Sequence, residues 1–213
     1  MIDSLELIGA EVRACRLCKL CEARTIGVPG EGSPNAEIMF IGEGPGFHED
    51  QQGRPFVGAA GQLLSEMLRT IGMRREDVFI TNVVRCRPPG NRDPLPDELQ
   101  ACDAYTLRQI AVLEPKLIVT LGRYSTARFV GQGPMRDMHG RAREWNGITC
   151  LATYHPAAIL RTPTVEMRRI YQDDFLRIPD LLADARTKRA ALTAATVAAE
   201  TATTAQLDQL PLF

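Results

Sequence analysis

The chain has 213 residues, 45% of them apolar and 24% charged, with a net charge of −1. That size suits one compact domain with a sizeable core plus a short extension. No apolar run reaches the length of a membrane span, the early acids Asp3, Glu6 and Glu11 argue against a signal peptide, and no global basic excess marks a non-specific nucleic-acid binder.

In chain order, residues 2–12 carry apolar side chains at helical spacing and lead into the Cys15-x-x-Cys18 pair. Residues 37–41 read as a short buried strand running into the glycine turn Gly42-Glu43-Gly44-Pro45-Gly46. Residues 58–73 place Leu63, Leu64, Met67, Leu68 and Ile71 on one stripe of an amphipathic helix. A second strand is expected over 78–84, and a long helix over 96–113 that opens with Pro, Asp and Glu. A third strand follows at 117–121, stopped by Gly122. A fourth spans 148–154 and ends at His155-Pro156, and a closing helix covers 165–185.

Strands alternating with helices predict an α/β fold: a three-layer α/β/α sandwich around a mainly parallel four-stranded sheet. Ligands of such sheets bind beyond the carboxyl ends of the strands. Three polar motifs fall there: the glycine turn after the first strand, Asn82 at the end of the second, and His155 after the fourth. Residues 1–185 are read as the catalytic domain. Residues 186–213 form an Ala/Thr-rich tail, a flexible or partly helical linker ending in Gln-Leu-Pro-Leu-Phe.

Each motif carries a plain alternative. The turn with Glu49, Asp50, Arg54 and Phe56 suits a pocket that stacks a flat ring and activates water, but it also suits a connecting loop with capping acids. The Asn82 amide sets a donor beside an acceptor, the pattern that matches O4 and N3–H of uracil or thymine and not cytosine; an asparagine at a strand end also caps turns. His155, held extended before Pro156, can donate as a neutral imidazole to an oxygen gaining charge, or can be a surface histidine. Arg85, Arg87 and Arg92 make a local basic cluster, as do Arg161, Arg168 and Arg169; both are equally common on solvated faces.

Of six cysteines, Cys15, Cys18, Cys86 and Cys102 can hold a 4Fe–4S cluster or a zinc ion, and spacing does not choose between them. Cys21 extends the pair to C-x-x-C-x-x-C without the fourth Cys-Pro of a ferredoxin run. Cys150, inside a strand, reads as a small buried apolar residue. Cysteines used this way point to a reducing compartment, and the chain is expected in the cytoplasm, associated with the nucleoid.

Together, GEGPGFHEDQQGRPFVGAAGQLL, FITNVVRCRPPGNRDP, TYHPAAILR and the four cysteines resemble the type-4, iron–sulfur uracil-DNA glycosylases over roughly residues 5 to 180. The resemblance implies the uracil-DNA glycosylase fold, a 4Fe–4S cluster on Cys15, Cys18, Cys86 and Cys102 with Cys21 a non-ligand, and excision of uracil from single- or double-stranded DNA. It implies that Phe56 stacks on the extruded base and Asn82 reads its edge. It also implies that the Gly44 backbone touches the base and that His155 stabilises the uracil anion at O2. Glu49 is expected to position water and Glu43 to shape the pocket. Arg87, Arg92, Pro156 and Arg161 are expected against DNA, with 156–161 as the loop that enters the minor groove. The related covalent uracil-trapping proteins carry a GEQPG turn and a KRRIH insertion, both missing here, so a turnover enzyme is expected. Residues 209–213 resemble the pentapeptide that binds the replication sliding clamp, with Pro211 departing from the usual Ser or Asp. A monomer suits an enzyme that scans DNA. Two other classes compete: a non-catalytic iron–sulfur or zinc module that binds DNA, and a different hydrolase on the same fold.

Overall fold

The computed structural model describes residues 3–207, with side-chain surroundings defined through 194. The amino-terminal arm holds α1 (Leu5–Ala14), capped by the Ser4 hydroxyl accepting from the Leu7 N–H, and the short α2 (Leu20–Ala23). A two-residue strand, β1 (Glu31–Gly32), precedes β2 (Ile38–Gly42), α3 (Phe47–Gln52), α4 (Ala59–Thr70) and β3 (Phe79–Asn82). Then follow α5 (Pro96–Leu113), β4 (Leu117–Leu121), α6 (Arg123–Phe129), α7 (Met135–Met138), β5 (Ala142–Trp145) and β6 (Ile148–Thr153). The chain closes with α8 (Pro156–Arg161), α9 (Val165–Leu176) and α10 (Ile178–Leu207).

The strands form one sheet in the order β1-β3-β2-β4-β6-β5. The four predicted strands make its parallel centre, β3-β2-β4-β6. Two antiparallel edge strands were not expected: β1 pairs with β3 and β5 with β6, giving six strands in all. Each central strand is buried along its whole length or nearly so, because helices cover both faces. Successive side chains alternate between layers. Ile38, Phe40, Leu117, Val119 and Leu151 pack with Leu64 and Leu68 of α4 and with Tyr171 and Phe175 of α9. Met39, Ile41, Ile118 and Cys150 face Ile110 and Leu113 of α5 and Phe129 of α6.

The closing helix divides at Arg177, because Pro179 has no N–H to continue the ladder. Beyond it α10 runs past residue 185 without a break, so the expected tail begins inside a helix. Arg186 pairs there with Glu37, and Arg189 with Glu114 at 2.8 Å. Residues 209–213, with the clamp-like pentapeptide, lie outside the described residues. Among the described residues no helix is long and apolar enough to cross a membrane.

Candidate active site

The floor of the site is a register fact: Gly42 ends β2 directly beside Asn82, which ends β3. A Cβ on Gly42 would stand 2.5 Å from both Asn82 Oδ1 and Phe56 Cζ, so only glycine lets the ring and the amide meet over the strand end. Asn82 is 1% exposed, and its Oδ1 is buried without a hydrogen-bond partner among the described residues. Native interiors rarely leave such an oxygen unpaired, and Asn82 is among the residues that line the cleft.

Phe56 sits at φ 52°, in the left-handed region that a bulky side chain normally avoids. A cluster of charges holds it there. Arg75 donates to the carbonyls of Phe56 at 2.9 Å and Pro55 at 2.8 Å, and Glu31 grips Arg75 at 2.6 Å and Arg54 at 2.7 Å. Strain of about 1–3 kcal/mol persists where the surroundings over-determine the conformation, as they do here.

His155 caps α8: the Ala157 N–H donates to its Nδ1 at 3.2 Å. An accepting Nδ1 places the proton of a neutral imidazole on Nε2. Burial, assisted by the Arg161 charge and opposed by Glu49, lowers the imidazole to about 4. Gly122, at φ 92°, lies so close that a Cβ would stand 2.9 Å from the His155 Cβ.

The two carboxylates differ in employment. Glu49 accepts three backbone N–H groups: Gly46 at 3.1 Å, Val57 at 2.9 Å and Gly58 at 2.9 Å. It thereby ties the start of α3 to the start of α4 and fixes the loop that carries Phe56. Glu43 accepts no side-chain hydrogen bond among the described residues and lines the cleft. Burial raises its carboxyl above the usual range and Asp93 adds to that, against the pull of Arg123 and Arg161. Glu43, Gly44, Glu49, Phe56, Asn82, His155, Arg92 and Arg161 all line one cleft of about 440 Å³, a volume suited to a small flat ligand.

The expected DNA contacts fare unequally. Arg161 is exposed at the cleft mouth and has no ion pair among the described residues. Arg87 donates to Asn91 Oδ1 at 2.7 Å and lies 5.2 Å over the exposed Phe47 ring. Arg92 is engaged by Glu98 at 2.6 and 2.9 Å, so its charge is largely neutralised. Pro156 is buried at the first position of α8, where its fixed φ starts the helix. Residues 156–161 are accordingly a helix and not a loop. Arg85 is also removed from the surface basic cluster, being 1% exposed.

Sequence reasoning missed Asp93 and Arg123, an ion pair on the cleft wall, and the Arg75–Glu31 clamp. Arg123 carried a usable signal, since it follows a strand and a glycine just as Glu43 does. The clamp carried none, because its partners are 44 residues apart.

Below the cleft lie the cysteines. Cys18, Cys86 and Cys102 pack together with Leu20 and Val84, and Cys15 packs beside Tyr105. Burial raises the thiols of Cys18, Cys86 (to about 11) and Cys102, and the remaining thiols, Cys15 among them, bear on Cys18 and Cys102 through space. Arg24 donates to the Cys86 sulfur at 2.9 Å and to the carbonyls of Arg13 and Cys15, both at 2.8 Å. Four thiols gathered around cationic donors fit a soft, thiolate-liganded group. Among the described residues no three His, Cys, Asp or Glu side chains converge as ligands of one metal ion. Cys150 is fully buried in β6, with its thiol raised to about 12 by burial.

A family model for the uracil-DNA glycosylase superfamily matches residues 29–176. A type-4 uracil-DNA glycosylase of Sulfurisphaera tokodaii is 50% identical over 190 residues, covering 84% of this chain and 86% of its own. A type-4 uracil-DNA glycosylase of Saccharolobus solfataricus is 47% identical over 191 residues, covering 85% and 88%. One from Archaeoglobus fulgidus is 45% identical over 190 residues, covering 84% and 94%.

Proposed function

The chain belongs to the uracil-DNA glycosylase superfamily, and from that membership we propose that it hydrolyses the N-glycosidic bond of uracil in DNA, leaving an abasic site. The observation that carries the reading is that Asn82, whose buried Oδ1 has no hydrogen-bond partner among the described residues, lines the same cleft as Phe56 and His155. Uracil offers N3–H to that oxygen and cytosine offers a lone pair, so a fixed amide accepts one and repels the other.

The steps follow from the groups present. The uracil nucleotide leaves the helix and its base lies against Phe56. As the C1′–N1 bond lengthens, its electron pair moves into the base and charge collects on O2, where the Nε2–H of neutral His155 donates. The sugar becomes oxocarbenium-like, and water adds to C1′, its lost proton balancing the one that the departing uracil anion takes up. Glu43, unengaged and beside the cleft, is the carboxylate placed to orient that water and to face the developing positive charge. Glu49, with three backbone donors to satisfy, holds Phe56 in place. These roles exchange those expected from the sequence. Arg161, Arg87 and the half-neutralised Arg92 are left to meet phosphates.

Cys15, Cys18, Cys86 and Cys102 are proposed to hold a 4Fe–4S cluster, supported by three of these thiols packing together beside the fourth and by the likeness to type-4 uracil-DNA glycosylases. When bound it serves structurally, joining the amino-terminal arm to the 85–92 loop and α5. Residues 209–213 are proposed to bind the sliding clamp, on the pentapeptide alone. The deciding experiment is release of free uracil from a uracil-containing oligonucleotide. Intact DNA that is bound without release would favour the non-catalytic module.

A further inference from the structure

A guanidinium buried as deeply as that of Arg85 needs an anion beside it. Arg85 is 1% exposed, and its Nη2 donates to Thr106 Oγ1 at 2.9 Å and Gln109 Oε1 at 2.8 Å, both neutral. Its Nε and Nη1 have no hydrogen-bond partner among the described residues. The groups whose charge bears most on it are the thiols of Cys102 and Cys86. Cys102, Thr106 and Gln109 share one face of α5 at helical spacing, so the side chain of Arg85 lies along the helix that supplies a thiol. Arg24 approaches the same thiols from the arm. Its Nη1 donates to the Cys86 sulfur at 2.9 Å, while Nη2 holds the carbonyls of Arg13 and Cys15.

We propose that Arg24 and Arg85 are the built-in counter-charges of the four-cysteine centre. They set how firmly it keeps its iron and where its reduction potential lies. The proposal rests on the cluster reading above. A cubane bound by four thiolates is a net anion, so both cations stabilise it, and hydrogen bonds and charge at the sulfurs are known levers on potential. Reduction adds negative charge, so loss of either cation moves the potential to more negative values. Both are positioning residues and neither touches the DNA cleft.

The test compares anaerobically purified wild-type protein with R24Q, R24K, R85M and R85K. Reduction potential is read by redox titration, and iron retention by loss of visible absorbance in excess chelator. R24Q and R85M should show more negative potentials and about tenfold faster iron loss or more, with R24K and R85K nearer the wild type. Because Arg24 is only half-buried, R24Q keeps the test open should R85M fail to fold. An iron-loaded R24Q with wild-type potential and wild-type retention overturns the inference alone. A wild-type protein purified without iron overturns the cluster reading, and the inference with it.

Discussion

The Phe56 ring and the His155 imidazole lie 5.6 Å apart, tilted by 31°, although the one precedes α4 and the other follows β6. A flat base resting on the first therefore presents its edge to the second. Both are anchored from behind, Phe56 by Arg75 and His155 by the Ala157 N–H, so the spacing exists before any ligand enters.

Asn82→Ala separates binding from folding. It should lower kcat/KM for uracil release by about 10- to 100-fold, the worth of one buried hydrogen bond. Its melting temperature should be unchanged or slightly higher, because a buried oxygen without a partner disappears. A variant that melts early and keeps its relative activity would assign Asn82 to the core instead.

His155 makes a pH prediction with a definite sign. Its folded value, about 4, lies below the ordinary 6.5, so protonation opposes folding. The associated stability is complete above about pH 6.5 and is lost as pH falls through 4. The imidazole stays neutral across the working range, so an acid limb of activity belongs to Glu43, whose carboxyl is raised by burial and then by Asp93. A pH–rate profile of Glu43→Gln should lose that limb together with about 10²- to 10⁴-fold of rate. A limb centred near 6.5 that persists in the variant contradicts this assignment.

Glu49→Ala should act chiefly on stability. Three backbone donors lose a charged acceptor, which should cost about 1–3 kcal/mol in denaturant unfolding. Wild-type stability combined with a collapsed kcat would return the water-positioning role to Glu49.

Arg75→Met should release the left-handed backbone at Phe56. KM should rise more than kcat falls, since the base loses its platform while His155 and Glu43 keep their places. Equal loss in both parameters would point to a wider collapse of the loop.

Truncation tests where the body ends. Removing residues after 185 deletes Arg186, one of the two partners of Glu37, and Arg189, the partner of Glu114, whereas removing those after 194 keeps both pairs. The shorter chain should melt at a lower temperature. The gap should narrow as pH falls toward 2, where Glu37, held at about 2 by Arg186 and Lys116, becomes protonated.

The parallel centre of the sheet was legible because its strands are short apolar runs punctuated by glycine or His-Pro; residues 117–121 and 96–113 match the observed elements residue for residue. The edges were not, since β1 is two residues long and β5 is exposed on nearly every residue. A signal for β5 did exist: Asn146 and Gly147 both have positive φ, the hairpin turn that Asn-Gly favours. The residues at the strand ends meet in one cleft because topology gathers them. The proposed division of labour between Glu43 and Glu49 was not legible, because it depends on which carboxylate the backbone claims. Helix α5 hid its purpose similarly. Its buried face carries Glu98, Cys102, Thr106 and Gln109, polar groups that serve the 85–92 loop and Arg85 and blur any apolar stripe.

The amide proposed to discriminate between bases stands on a rung of the central ladder, not on a movable loop. Its aim is kept by hydrogen bonds that break only when the sheet itself comes apart. Warming the enzyme should therefore not open an interval in which it still cuts but has grown careless; fidelity and folding should vanish in the same transition.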